Sequence, residues 1–362
     1  MNGNKEEVIG FEALYKSMHK CKKNVLWKDS TANFYLNGIE QTLRLERELK
    51  SGTYKPRKPK KFEITHPKRR QAVSIAFRDR VYQRSLNDNV LYPVMTKSFI
   101  YTNMACQKGK GTDKARNVLD EMLKHHFRKY GLTGYVLQCD ISGYYPNMNH
   151  RIVEEKFKEK LHPDIYQMAK RILREQYEGD KGYNPGSQMV QIAGISVLDE
   201  MDHMIKEKLH VKAYERYMDD FILIGQTEKE MFLYKREIEK YLRKVGFELN
   251  KKKTKIFELR EGIKFLGFTH RLTDTGKVIR IIDPRNVKQE RKKLRRMVGL
   301  VRKERMTKVK VNKCFESWKA HAEKGNSTKL INRMNKYDAD LWKEYKNVNH
   351  EKTKNCKRTE RT

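Results

Sequence analysis

The 362-residue chain is short of cysteine, short of acid and free of long apolar runs, and each shortage excludes something. Its five cysteines, Cys21, Cys106, Cys139, Cys314 and Cys356, are odd in number and far apart, which fits neither a disulfide framework nor a CxxC-type zinc site. They read as the reduced thiols of a cytosolic protein. No stretch approaches the roughly 18 apolar residues of a membrane span, and the opening "MNGNKEEVIGFEALYKSMHK" lacks the apolar core of a secretion signal. The expected setting is the cytoplasm, with no membrane partner. A nuclease module with a His/Cys metal cluster has no room, and no internal repeat is visible.

Acid is scarce relative to base: 46 Asp+Glu against 80 Lys+Arg, for a formal net charge of +34. A surplus of that size repels itself unless a polyanion neutralises it, and nucleic acid is the natural partner. An AT-rich genome that favours Lys codons would also raise the count. Aromatics at 10% and apolar residues spread along the chain allow a sizeable core, as one large domain or two to three subdomains.

Residues 10–50 have helical periodicity, ending at Ser51-Gly52. The basic stretch that follows contains the alternating segments "KFEIT" and "QAVSIAF", which predict a hairpin, and "RDRVYQRSLNDNVLYPVM" returns to a helical period. After a Gly/Lys loop and a helix, "GYVLQCDIS" reads as a strand. Two helices follow, then "GSQMVQIAGISVLDEMDHMIKEKL" as one long helix, "VKAYERYMDDFILIG" as a hairpin, a further helix, and short strands through "GIKFLGFTHRL". That order is α+β, a small antiparallel sheet with helices on one side. From Pro284 the chain becomes helical and basic, and the last dozen residues read as a frayed tail.

Two adjacent aspartates, Asp219 and Asp220, sit inside the apolar hairpin segment, and Asp140 ends the apolar strand upstream. Taken alone, an Asp-Asp pair is most simply a solvated hairpin tip. Tyr217 before it and "FILIG" after it argue for burial, and buried like charges cost several kcal/mol unless something positive lies between them. Divalent metal is the simplest answer. Two hard cations about 3.5–4 Å apart serve an in-line phosphoryl displacement, and Mg²⁺ prefers oxygen ligands and shares phosphate oxygens.

"YMDD" in an apolar hairpin, "DISGYY" upstream and "FLGF" downstream resemble the palm motifs of reverse transcriptases, in matching order along roughly residues 10–340. The resemblance implies a right-hand polymerase fold. Its parts are an N-terminal helical extension over 1–60, fingers over 61–135, a palm over 136–283 with its motif helix at 187–208, a helical thumb over 284–350, and a basic tail without fixed structure over 351–362. It further implies that Asp140, Asp219 and Asp220 are the catalytic metal ligands, joined by the Ile141 carbonyl. They would hold two Mg²⁺ ions, with Mn²⁺ as a substitute. Tyr145 falls where the family keeps an aromatic gate against a ribose 2′-hydroxyl; a core tyrosine beside Tyr144 is the alternative.

The resemblance extends to binding residues. Lys68, Arg69 or Arg70, and Arg78, fall where fingers reach a triphosphate, since forked and ammonium donors suit phosphate oxygens; taken singly, each reads more simply as a backbone-phosphate contact or a solvated charge. Lys108 and Lys110, in a Gly-rich loop, and Gly186 fall on the template side, with Gln191 near the nascent pair. Lys253 matches a lysine beside the triphosphate, although in "NKKKTK" a solvated face is the alternative. Tyr217 and Met218 adjoin the primer end, and Leu266 and Gly267 resemble the primer grip. The implied partners are an RNA template, a DNA or RNA primer and dNTPs.

Several further stretches, among them "FRDRVYQRSL", "MVQIAGISVLDEMDHMIKE" and "SWKAHAEKGNSTKLINRM", are similar to bacterial reverse transcriptases of diversity-generating retroelements. That subgroup implies error-prone cDNA for targeted mutagenesis, aided by a small basic accessory protein or a structured non-coding RNA. Phage-defence and abortive-infection enzymes share much of the framework, and Val190-Gln191 here replaces the Ser-Gln common in the first group. A non-catalytic RNA-binding scaffold is the reading from another class.

Overall fold

The computed structural model describes residues 4–65, 69–184 and 186–359, and it divides the chain into two compact units. The first contains residues 1–115 and 135–256, the second 116–134 and 257–362. The three divisions fall inside the helix Thr112–Tyr130, just before the strand that starts at Tyr135, and inside the sixth strand.

The first unit opens with helices Phe11–Cys21, Asp29–Leu36 and Gly38–Lys50. Leu14, Met18, Leu45 and Leu49 turn inward from them, at the helical spacing the sequence shows. Two strands, β1 (Lys60–Ile64) and β2 (Arg70–Ser74), form the expected antiparallel hairpin. Its central sheet uses β3 (Tyr135–Asp140), β4 (Ala213–Tyr217) and β5 (Asp220–Gly225), with β5 antiparallel to both others. The order is completed by β6 (Lys255–Glu258) at an edge. Val136, Leu137 and Cys139 on β3 and Phe221 to Ile224 on β5 are all buried, because the helix Glu228–Lys244 packs on these two strands. That helix starts at Thr227, whose side chain and that of Glu230 form a capping box.

The long helix expected over 187–208 is interrupted. It runs Gln188–Val197, breaks at Leu198, resumes over Asp199–His203 and widens to a π-turn over Met204–Lys208. Ser187 caps its start through Val190 N. Periodicity alone does not reveal the break, since buried residues continue across it at Val197, Leu198 and Met201.

The second unit has its own core, in which Phe268, Ile282, Leu294, Phe315, Trp318 and Met334 are buried together. Strands β7 (Ile263–Phe265), β8 (Phe268–Leu272) and β9 (Val278–Ile282) make an antiparallel meander. Helices Pro284–Arg302, Lys308–Ala322 and Thr328–Thr359 follow. The first begins with Asp283 capping Arg285 N and with proline in its first turn. The last continues to Thr359 through the stretch whose composition suggests a frayed tail; residues 351–359 contain no proline or glycine to stop it. Among the described residues, no helix is long and apolar enough to cross a membrane, and Cys21, Cys106, Cys139 and Cys314 are free thiols.

One polar cluster lies inside this unit. His270, fully buried on β8, meets Asp120 Oδ1 through Nδ1 at 2.7 Å, and Arg280 on β9 donates to Asp120 Oδ2 at 2.9 Å. Burial raises the Asp120 pKa, but the bonds from His270 and Arg280 outweigh it, and the carboxyl ends below its ordinary range. A depressed carboxyl pKa contributes stability above the unfolded value and loses it as pH falls through the folded one. Asp120→Ala is expected to cost the second unit about 3 kcal/mol, the scale of stripping a buried ion of its partner. Urea unfolding of wild type and variant at neutral pH measures it, and the gap should shrink in acid.

Candidate active site

Asp140 and Asp220 are directly opposite each other, as the last residue of β3 and the first of β5. Like charges at such a pair oppose folding. The geometry follows from register: Tyr135 pairs with Gly225, and each step along the apolar run brings the two strand ends into line. Asp219 completes the turn between β4 and β5, and its carbonyl accepts from Ile141 N at 3.3 Å.

The Asp220 carboxyl is pushed up to about 6, first by burial and then by the charges of Asp219 and Asp140. Lys253 partly offsets the cluster. Its Nζ donates to Asp140 Oδ2 at 2.6 Å, and this bond raises the ammonium pKa. Lys253 is brought there by the turn after Leu249, where Asn250 N donates to Asp140 O at 2.8 Å and Ile141 bridges Leu249. Among the described residues no three His, Cys, Asp or Glu side chains are gathered in metal-ligating geometry. The oxygen donors at this spot are nonetheless of the kind a hard divalent cation takes, and Asp140 already holds a cationic group.

The turn bearing Asp219 is strained. Met218 has φ +59°, a region that L-residues enter at a cost of about 1–2 kcal/mol. Arg216 holds it there. This fully buried guanidinium donates from Nη1 to Met218 O at 3.0 Å and from Nη2 to Ile195 O at 3.1 Å. Its Nε reaches Asp202 Oδ1 at 2.7 Å and its Nη2 Asp202 Oδ2 at 2.6 Å. Tyr214 Oη and Asn103 Nδ2 also donate to Asp202, at 2.6 and 3.3 Å. The backbone of Arg216 is bracketed too: its N donates to Thr102 O, and its carbonyl accepts from Met104 N. Sequence reasoning missed Arg216 and Asp202. The available signal was an arginine placed among apolar strand residues, with an aspartate at the inward face of the preceding helix.

Tyr145 follows β3 in the short helix Tyr144–Asn147, whose entry at Gly143 has φ +54°. The Tyr144 hydroxyl donates to Gly194 O. Tyr145 lies half-buried beside it; a Cβ at Gly194 would come within 3.3 Å of Tyr145 Oη. Gln191, one turn earlier on the same helix, is also half-buried. Gly186 is pressed against β2, where an added Cβ would meet Val73 O at 3.0 Å, so its closest approach is to protein backbone.

The other expected residues divide. Lys68 lies outside the described residues, and Arg70 pairs with Ile64 in the β1–β2 hairpin. Arg69 Nε reaches Glu63 at 2.5 Å. Arg78 is held by Glu48, with Nη2–Oε2 2.7 Å, and lies over the Tyr54 ring at 4.9 Å. Lys110 donates to the carbonyls of Tyr101 and Asn103, at 2.9 and 2.8 Å, and so clamps its loop. Lys108 remains exposed, with Nζ 5.0 Å from the Tyr92 ring centroid. Leu266 and Gly267 belong to the second unit. They form the two-residue β7–β8 turn with φ +45° and +90°, and Arg116 Nη1 holds the Leu266 carbonyl at 2.9 Å.

Asp202→Asn leaves the Arg216 charge buried without its counter-ion, and a loss of about 3–5 kcal/mol is expected in urea unfolding. Asp220 carries the opposite kind of charge problem. An acid whose folded pKa lies above the unfolded one costs the folded state when ionised, so the cost is present above about pH 6 and fades as pH falls through that value. Asp220→Asn should therefore melt higher than wild type in EDTA at about pH 8, with the difference closing toward pH 4; thermal melts across that range measure it.

A family model described as reverse transcriptase (RNA-dependent DNA polymerase) matches residues 57–270. No curated protein matches the chain significantly. Among solved structures it is similar to telomerase from Candida albicans in complex with a TWJ fragment of telomeric RNA. That likeness has 14% identity and a TM-score of 0.46, over 67% of this chain and 49% of that one. It is also similar to apo telomerase from Candida tropicalis truncated from its C-terminal domain, at 14% identity and TM-score 0.45, over 62% and 55% of the two chains. The chain thus spans about half the length of these telomerases. With more than half of its residues inside the matched region, and with an α+β arrangement of antiparallel sheets and helices, the chain belongs to the reverse transcriptase family.

Proposed function

We propose that the chain is an RNA-directed DNA polymerase that makes cDNA by nucleotidyl transfer at Asp140, Asp219 and Asp220. The observation that carries this reading is the juxtaposition of Asp140 and Asp220 across β3 and β5, with Asp219 on the strained turn beside them, inside the matched region. Folded proteins avoid opposing acids without a use for them. The three carboxylates, with the Ile141 carbonyl, would hold divalent cations, Mg²⁺ or Mn²⁺ in its place. Bound there, such ions supply activation of a primer 3′-hydroxyl and charge stabilisation of the departing pyrophosphate.

The chain's own groups do the rest. Lys253, whose ammonium lies beside Asp140, would offer its charge to triphosphate oxygens. Tyr145, half-buried next to Gly194, stands as the aromatic gate against a ribose 2′-hydroxyl and so favours deoxynucleotides. Gln191 faces the nascent pair. Tyr217 and Met218 set the primer terminus, and the Leu266-Gly267 turn grips the primer strand. Lys108 and Gly186 lie along the template. The basic helices after Pro284 would track the duplex through phosphates without reading bases.

The subtype we propose is the diversity-generating one, on the stretches quoted above. Asp219→Ala should lower polymerisation at least about 10²–10³-fold, the scale of removing one key electrostatic group, with nucleic-acid affinity little changed. Wild-type synthesis by the variant overturns the assignment. Sequencing the DNA that co-purifies with wild type alone tests the subtype. cDNA of a neighbouring repeat, mutated where its RNA has adenine, supports it, and faithful or repetitive DNA unrelated to such a repeat supports a defence enzyme instead.

A further inference from the structure

The first unit has a second concave site, which shares no lining residue with the carboxylate cluster. It is an open cavity of about 550 Å³ between the N-terminal helices, the segment leading into β1 and the residues that follow β2. Six cations line it, namely Lys28, Arg57, Lys58, Lys60, Arg78 and Arg80, and no carboxylate is among its lining residues. Glu48 neutralises Arg78 from behind, which leaves a strongly positive wall.

The remaining lining is not that of a plain phosphate patch. Asn33, Asn37 and Gln41 contribute three side-chain amides to the lining, and each amide offers a donor and an acceptor together, the pattern that a base edge presents. Phe34, Ile75 and Phe77 supply an apolar floor, with the two rings edge to face at 5.2 Å. Ser30 and Ser74, both exposed, add hydroxyls. A cavity of this size lies in the range of small-ligand sites, about 300–1,000 Å³, and a nucleotide combines the phosphate, base edge and ring face that these three groups meet. Bases in a duplex are stacked and paired; only an unpaired nucleotide could enter. Hydroxyl partners suit the 2′-hydroxyl that distinguishes RNA. Arg80 also lines a smaller cavity of about 220 Å³ with Lys20, Lys23 and Arg84. The cationic surface thus continues for a neighbouring phosphate, although Asp88 offsets Lys20 and Arg84.

We infer that this cavity binds an unpaired nucleotide of a single-stranded RNA, held outside the carboxylate site. The inference does not depend on polymerisation. It is tested with the full chain carrying Asp219→Ala and no dNTP, so that a protein without polymerase activity still reports. The probe is an unstructured RNA of about 20 nucleotides with one 4-thiouridine, read by anisotropy and by mapped photocrosslinks.

Asn33→Ala/Gln41→Ala, at an exposed and a half-buried position, should weaken RNA binding at least about fivefold, the lower end for a lost base-edge contact, with the salt slope unchanged. Lys58→Ala/Lys60→Ala should flatten the slope of log affinity against log salt by about 1–2, while Lys158→Ala/Lys229→Ala, equal in charge and outside the cavity lining, should leave the crosslinks in place. Crosslinks on the segments 28–41 and 57–80 support the site. Unchanged affinity in the amide variant, crosslinks confined to other segments, or equal binding of the matching single-stranded DNA would overturn it.

Discussion

The pairing of Arg216 with Asp202 is the constraint on which the centre of the first unit depends. A guanidinium at 0% exposure is tolerable only when its nitrogens find acceptors and its charge is matched, and here the matching carboxylate accepts from Tyr214, Asn103 and Arg216. Through that one side chain, the broken helix containing Ile195 and Asp202, the loop at Thr102–Met104 and the β4–β5 turn are fixed to each other. A buried ion pair is weak evidence for stability as such. Its value here is directional, since it fixes the backbone at Met218 in a conformation that the residue would not choose.

The carboxylates beyond that turn present the reverse case. Arg216 is balanced inside the fold, whereas Asp140 and Asp220 face each other across two strands and Asp140 is met by a lysine that is 54% exposed. The two situations lie within a few residues on the same strands. The protein fully matches the charge that holds the turn, and crowds like charges at its end, where the Asp220 carboxyl is pushed up by its neighbours. A site that must accept and release charged reactants has that character, because full internal compensation would leave no electrostatic work for a ligand.

Much of this was legible in the sequence. Alternation gave away β1 and β2, apolar runs β3 and β5, and the positions of Asp140, Asp219 and Asp220 relative to those runs brought them to adjacent strand ends. Other features were hidden for physical reasons. Buried apolar residues continue across the interruption at Leu198, so periodicity passes over it. Lys110 and Arg78 look like phosphate ligands in a list of basic residues, yet one is committed to backbone carbonyls and the other to Glu48. A charge count cannot separate such structural cations from available ones. The grouping of residues 116–134 with the C-terminal segment is likewise invisible to local pattern, because it is set by contacts remote in sequence.

The contact between Gly194 and Tyr145 has a consequence for how such a protein can change over time. The space around the tyrosine ring is defined jointly by the residue itself and by a helix position with no side chain. Glycine and alanine codons differ by a single base. One methyl group, reached in one mutational step and without altering any polar group, would displace the ring by a few tenths of an ångström, so the shape of this corner is within easy evolutionary reach while the charged residues around it stay the same.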